Sequence, residues 1–259
     1  MGGHLNVGVL GMPDNIGTFS LLERFDREPE VSLDFVVYWQ PSFRAQWSRF
    51  MRKLRLAGPR ATMLRVADSL RRRRARASAE GPAGARRKPL REYFVGSHNG
   101  PDCEELLRRE QVDLVLLETD CIIRSSVLKV PRLGVLNAHP GWIPRFRGLG
   151  ALLFQLEQGF KPAVTLHFAD EGVDTGPVIL RREFEFDATR GLDGLEQATR
   201  LAQGDVFVEA VQLFQRGAVP RVDTFLEPSN MTRGMPLKRV RALDRALRRG
   251  ELRPDRSLR

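Results

Sequence analysis

Asn137 and His139 stand two residues apart at the end of the short apolar run Gly134-Val135-Leu136. In an extended chain that spacing sends both side chains out from the same face. Pro140-Gly141-Trp142-Ile143-Pro144 follows and turns the chain out of any sheet. An amide and an imidazole projecting together can do two kinds of work. The amide NH2 can donate to a developing oxyanion, and the imidazole can move protons near neutral pH. Further along, Asp170-Glu171-Gly172-Val173-Asp174-Thr175-Gly176-Pro177 reads as a tight acidic loop between two strands. Its glycines permit close backbone approach, and a carboxylate there could orient the imidazole, raise its pKa or hold a water. Each motif alone also has an ordinary reading, as a strand end that satisfies the next loop and as a hairpin turn.

The elements that must position these groups alternate. Leu5 to Leu10 reads as a strand, Gly11 to Asn15 as a break, and Thr18 to Phe25 as a helix. A second strand is predicted over Val31 to Trp39. A loop at Gly96 to Pro101 leads into a helix through Glu110, with Pro101 suited to its first turn. Val112 to Leu117 is nearly all apolar, the pattern of a strand buried on both faces. Leu149 to Gln158 reads as a helix closed by Gly159, and Ala163 to Phe168 and Val178 to Phe186 as strands. In the strand Ala163 to Phe168, Thr165 and His167 share a face. Beyond Gly191 the chain turns helical, through Gly217 and again from Leu237 to Arg249. Alternating strands and helices imply an α/β fold with an open, mostly parallel sheet and helices on both faces. Such sheets bind ligands beyond the carboxyl ends of their strands, which is where Asn137 and His139 fall.

Composition narrows the function classes. The 259 residues are 42% hydrophobic and 29% charged, ordinary for a globular chain. No apolar run approaches the roughly 18–20 residues of a membrane span, and the N-terminus lacks the zones of a signal peptide. Cys103 and Cys121 form no metal-type cluster, so a metal site is not expected and a reducing cytoplasm is the natural compartment. The net charge of +10 is uneven. Residues 42–91 hold fourteen Arg and two Lys against one Asp and one Glu, and the tail from Arg233 adds ten basic and three acidic residues. The rest is acidic, so this is not a uniformly basic nucleic-acid binder.

The stretch Asn137-Ala138-His139-Pro140 through Pro144-Arg145-Phe146-Arg147-Gly148, followed by Asp170 to Pro177, resembles the folate-dependent formyltransferase family. That family includes glycinamide ribonucleotide formyltransferase, methionyl-tRNA formyltransferase and the sugar N-formyltransferases. The resemblance covers residues 5–41 and 92–190 and weakens over 42–91 and 191–259. It implies a Rossmann-like formyltransferase domain over 1–190, with 42–91 as a basic helical insertion and 191–259 as a helical C-terminal extension. It implies N10-formyltetrahydrofolate as formyl donor and a catalytic triad. Asn137 would hold the formyl oxygen, His139 would stabilise the tetrahedral intermediate and shuttle protons, and Asp174 would orient His139 and help remove the amine proton. The pterin slot maps onto Cys121, Ile122, Ile123 and Arg124, and onto Ala169, Asp170, Glu171, Gly172 and Val173. Cys121 reads as pocket lining, because no histidine near it in sequence would activate it.

Gly141 and Trp142 depart from the family's usual serine and leucine. The Gly-Asn-Gly-Ser-Asn phosphate loop of the purine-pathway enzyme is absent after the first strand. The expected acceptor is a primary amine on a small metabolite: an amino sugar, a nucleotide sugar or a natural-product precursor. A formyltetrahydrofolate hydrolase and a non-catalytic folate- or membrane-binding module are the alternatives.

Phe43, Trp47, Phe50 and Leu54, then Met63, Ala67 and Leu70, recur at helical spacing among arginines. They read as helices packed on the body, as a cap that recruits an anionic acceptor, or as a surface for anionic membranes. The tail helix is expected to dock on the body or on a second subunit, which allows a homodimer. His98, in the loop before a helix, reads as a surface residue or as lining the cleft, and His167 has no partner that its sequence position suggests.

Overall fold

The computed structural model describes residues 4–13, 15–40, 47, 89–119, 121–222 and 230–258. The helical pattern expected within 42–88, Trp47 apart, lies outside the described residues.

A seven-stranded sheet forms the centre. Its strands are β1 (Val7–Gly11), β2 (Phe35–Trp39), β3 (Arg91–Val95), β4 (Leu114–Leu117), β5 (Gly134–Pro140), β7 (Ala163–Phe168) and β8 (Val178–Glu183). The order is β3-β2-β1-β4-β5-β7-β8. The first five run parallel, and β7 and β8 are antiparallel additions. A small parallel pair joins β6 (Phe146–Leu149) to β9 (Asn230–Arg233).

Both faces of the sheet are covered, which is why β1, β2 and β4 are apolar at nearly every position. On one face, α1 (Ile16–Arg27) and α5 (Gly191–Gln215) pack Leu21, Leu22 and Phe25, and Val206, Phe207 and Val211, onto Val7, Val9 and Val36. On the other, α2 (Pro101–Arg109) and α3 (Ser125–Leu128) set Cys103, Leu106, Leu107 and Val127 against Leu10, Phe35, Val37 and Val115. Each fully buried large apolar side chain contributes about 1.5–3 kcal/mol. The last helix, α6 (Leu237–Arg248), docks beside α5 by burying Leu243 and Leu247. Asp244 of α6 accepts the Leu192 backbone N–H at 2.9 Å.

Several boundaries differ from the sequence reading. β2 begins at Phe35 rather than Val31, because Asp34 turns its carboxylate onto the Val7 N–H at 2.8 Å. β3 was not expected. It is an edge strand whose Arg91, Glu92 and Phe94 are exposed, so it lacks a buried-strand pattern. The helix expected from Leu149 is α4 (Ala151–Glu157): Leu149 pairs instead with Arg233, and Gly150 takes a left-handed φ of 73°. β8 ends at Glu183, before Phe186.

Candidate active site

β5 is the last parallel strand, and its carboxyl end opens on a cleft of about 870 Å³. Asn137 lies between Leu117 of β4 and His167 of β7, and His139 lies opposite Thr165. The two-residue spacing does bring both side chains to this cleft. Asp174 reaches it from the loop between β7 and β8, where it holds a left-handed φ of 53°. That loop is tied back on itself. The Thr175 hydroxyl donates to Asp170 at 2.7 Å, and the Gly172 N–H does so at 3.0 Å.

The Asp174 carboxylate is the hub. Its Oδ2 accepts the Gly148 N–H at 2.8 Å and lies 3.3 Å from His139 Nδ1. Its Oδ1 lies 3.4 Å from Asn137 Nδ2 and 3.7 Å from His167 Nε2. His139 Nε2 faces the Phe146 carbonyl at 3.2 Å. Both ring nitrogens of His139 therefore look at oxygen acceptors. Burial nonetheless pushes its pKa down to about 4, against the upward pull of Asp174; His167 adds to the lowering. The imidazole is neutral near pH 7, and an added proton would find an acceptor already in place on either side.

The slot residues fall on the same cleft. Cys121, Ile122, Ile123, Ala169, Asp170, Gly172 and Val173 line it. Arg124 and Glu171 do not: Arg124 enters through its backbone N–H, which donates to Asn99 Oδ1 at 2.7 Å, and Glu171 is exposed. The cleft is also lined by Glu196, Thr199, Arg200 and Gln203 of α5, with Met231, Thr232 and Arg233 of β9.

The sequence profile of the formyl transferase family matches residues 65–211, more than half of the chain. The chain belongs to the formyl transferase family. It is 30% identical over 119 residues to a methionyl-tRNA formyltransferase of Syntrophus aciditrophicus, a match that covers 45% of this chain and 38% of that protein. The chain thus spans well under two thirds of that relative. Solved structures that share its fold include the following two. One is a glycinamide ribonucleotide transformylase from Symbiobacterium toebii, with a TM-score of 0.57, 22% identity and coverage of 86% of this chain and 96% of that one. The other is a 4-N formyltransferase from Francisella tularensis, with a TM-score of 0.55, 14% identity and coverage of 95% and 88%.

In this member of the family, four groups at the site escaped the sequence reading. His167 is buried, and its Nδ1–H donates to the Phe168 carbonyl at 2.8 Å. That bond leaves Nε2 as an acceptor for Asn137 Nδ2 at 3.1 Å. The one available signal was its place on the same face of β7 as Thr165. His98 is not a surface residue: it is 1% exposed, with Nε2 donating to the Val37 carbonyl at 3.0 Å. Its Nδ1 lies 3.9 Å from Cys121 Sγ, a neighbour hidden by twenty-three residues of separation. Asn99 clamps the slot loop, accepting from Arg124 and donating to the Ile122 carbonyl at 2.8 Å. Gly148 supplies a backbone N–H, which no side-chain pattern announces.

Proposed function

We propose that this chain is an N-formyltransferase that carries the formyl group of N10-formyltetrahydrofolate to a primary amine of a small metabolite. The observation that carries this reading is the convergence of Asn137, His139 and Asp174 at one point of the cleft. The donor slot fits a flat heteroaromatic ring. Cys121, Ile123, Ala169 and Val173 give it apolar walls, and two loops offer backbone groups to a hydrogen-bonding edge.

Bound there, the donor supplies an activated formyl carbon. The Asn137 amide turns one N–H from Asp174, its longer contact, to the formyl oxygen as negative charge builds. Asp174 holds His139 in register and takes part in removing the amine proton. His139, neutral at rest, accepts a proton with Asp174 and the Phe146 carbonyl ready to stabilise it, and a proton passed to N10 lets tetrahydrofolate leave as the N10–formyl bond breaks. Positioning and oxyanion stabilisation supply the acceleration, without a covalent enzyme intermediate.

The acceptor we infer is an amino sugar, a nucleotide sugar or a natural-product precursor. Supporting it are Thr199, Gln203 and Thr232 on the cleft wall, whose side-chain oxygens can accept from hydroxyls while their donors are held by protein carbonyls. A cytoplasmic site of action suits a folate donor and two cysteines that form no disulfide.

The test is purified chain with N10-formyltetrahydrofolate and a panel of amines, with tetrahydrofolate release followed by absorbance and formamides identified by mass. Release that requires one class of amine supports the reading and names the acceptor. Release without amine means hydrolysis and overturns it.

A further inference from the structure

Four charged side chains besides Asp174 line the cleft: Asp170, Glu196, Arg200 and Arg233. Three are engaged within the protein. Asp170 accepts from Thr175 and Gly172, and Arg200 pairs with Glu196. Arg233 has no acidic partner among the described residues.

The Arg233 side chain is exposed, and the backbone that carries it is held in place. The parallel register of β6 and β9 sets Arg233 beside Leu149. The neighbouring Thr232 hydroxyl bridges the Arg147 and Leu149 carbonyls, at 3.1 Å and 2.8 Å. β6 also supplies the Gly148 N–H to Asp174. The guanidinium is therefore carried on a strand tied to the one that holds the catalytic carboxylate. Leu149 and Met231, 73% and 52% exposed, make an apolar rim next to it.

In an open α/β sheet the usual place for an anion is the N-terminus of the helix after β1. Here that place is taken. Asn15 Oδ1 accepts the Gly17 N–H at 2.8 Å, and the Met12 N–H donates to Thr18 at 3.2 Å. The Glu118 carboxylate sits so close that a Cβ on Gly17 would collide with it. A carboxylate at that spot repels an anion.

We propose that Arg233 is the anion-binding residue of the acceptor subsite, so that the acceptor carries a phosphate or carboxylate group besides its amine. The word acceptor rests on the transferase reading above; the anion site itself is tested independently of it. Arg offers a planar, permanently charged fork that matches either group.

The chain holds 42 Lys and Arg, so bulk anion binding is uninformative and the probe must be local. Protein labelled with 13C at the methionine methyls, with Met231 assigned by Met231→Leu, is titrated with inorganic pyrophosphate and, separately, with succinate. The expected result is a saturable shift of the Met231 methyl with at least one of them, pyrophosphate alone marking a phosphate site and succinate alone a carboxylate site. Arg233→Ala should weaken that affinity about tenfold, and Arg233→Lys by less. No shift with either anion, or an unchanged affinity in Arg233→Ala, overturns the proposal. Tetrahydrofolate titrated into the same samples reports on the transferase reading separately: loss of folate binding with the anion site intact would sink that reading and leave this one standing.

Discussion

Asn137 and His167 face each other across β5 and β7, with Asn137 Nδ2 donating to His167 Nε2 at 3.1 Å. The Phe168 carbonyl fixes the tautomer that makes this possible. His167 is thus a positioning residue that orients the amide. His167→Ala should lower kcat by roughly tenfold with little change in the donor KM, since an amide left unpaired loses its defined orientation. His167→Gln, which can still accept, should recover part of the loss. Equal losses in kcat and in folding stability for both variants would reduce His167 to a core residue.

Stability should fall as acid is added, in a defined window. His98, His139 and His167 are all buried, and burial holds all three below the ordinary 6.5, His139 at about 4. Between pH 6.5 and 4 the unfolded chain therefore binds more protons than the native one. The stability these groups contribute is present above pH 6.5 and is lost as the pH falls below it, toward 4 in the case of His139, by about 1.4 kcal/mol per pH unit for a group that stays neutral in the fold. Asp113 and Asp244, held below 3.8 in the folded chain, act at lower pH still. Urea midpoints at pH 7, 6 and 5 should decline, and His139→Asn should flatten the decline. A midpoint that rises on acidification contradicts the burial argument.

Gly148→Ala should disable the site from a position with no side chain. Gly148 holds φ at 87°, and a Cβ there would meet the Thr232 carbonyl at 2.5 Å. The backbone must shift and carry its N–H away from Asp174. A displacement of that kind costs on the order of 10²-fold in turnover. Wild-type kcat in a folded Gly148→Ala protein would show that this N–H is dispensable.

The two thiols should differ in reactivity. Cys103 is fully buried, and burial pushes its thiol up to about 12. Cys121 lines the cleft, in the proposed donor slot, and has Thr119 Oγ1 at 3.3 Å and His98 Nδ1 at 3.9 Å. Iodoacetamide on the native chain should alkylate Cys121 alone, and tetrahydrofolate should protect it. Peptide mass mapping reads both outcomes. Labelling of Cys121 unaffected by saturating tetrahydrofolate would remove it from the donor slot.

The sheet was legible because burial on both faces writes itself as apolar runs at β1, β4 and β5. β3 was not, because an edge strand carrying Arg91 and Glu92 has no such run. β6 and β9 were not, because four-residue strands separated by about eighty residues leave no periodicity. The meeting of Asn137, His139 and Asp174 could be expected from the family resemblance that their motifs carry. The roles of His167 and Gly148 could not, since one depends on the antiparallel register with β7 and the other on a backbone atom.

The most direct measurement follows a 13C-labelled formyl carbon from N10-formyltetrahydrofolate by NMR, with an amine acceptor and the wild-type, Asn137→Ala, His139→Ala and Asp174→Ala proteins. The account predicts a formamide signal in the wild type and, in each variant, a rate lower by about 10²-fold or more with tetrahydrofolate binding intact. Label appearing as formate, or transfer at the wild-type rate in the variants, would contradict it.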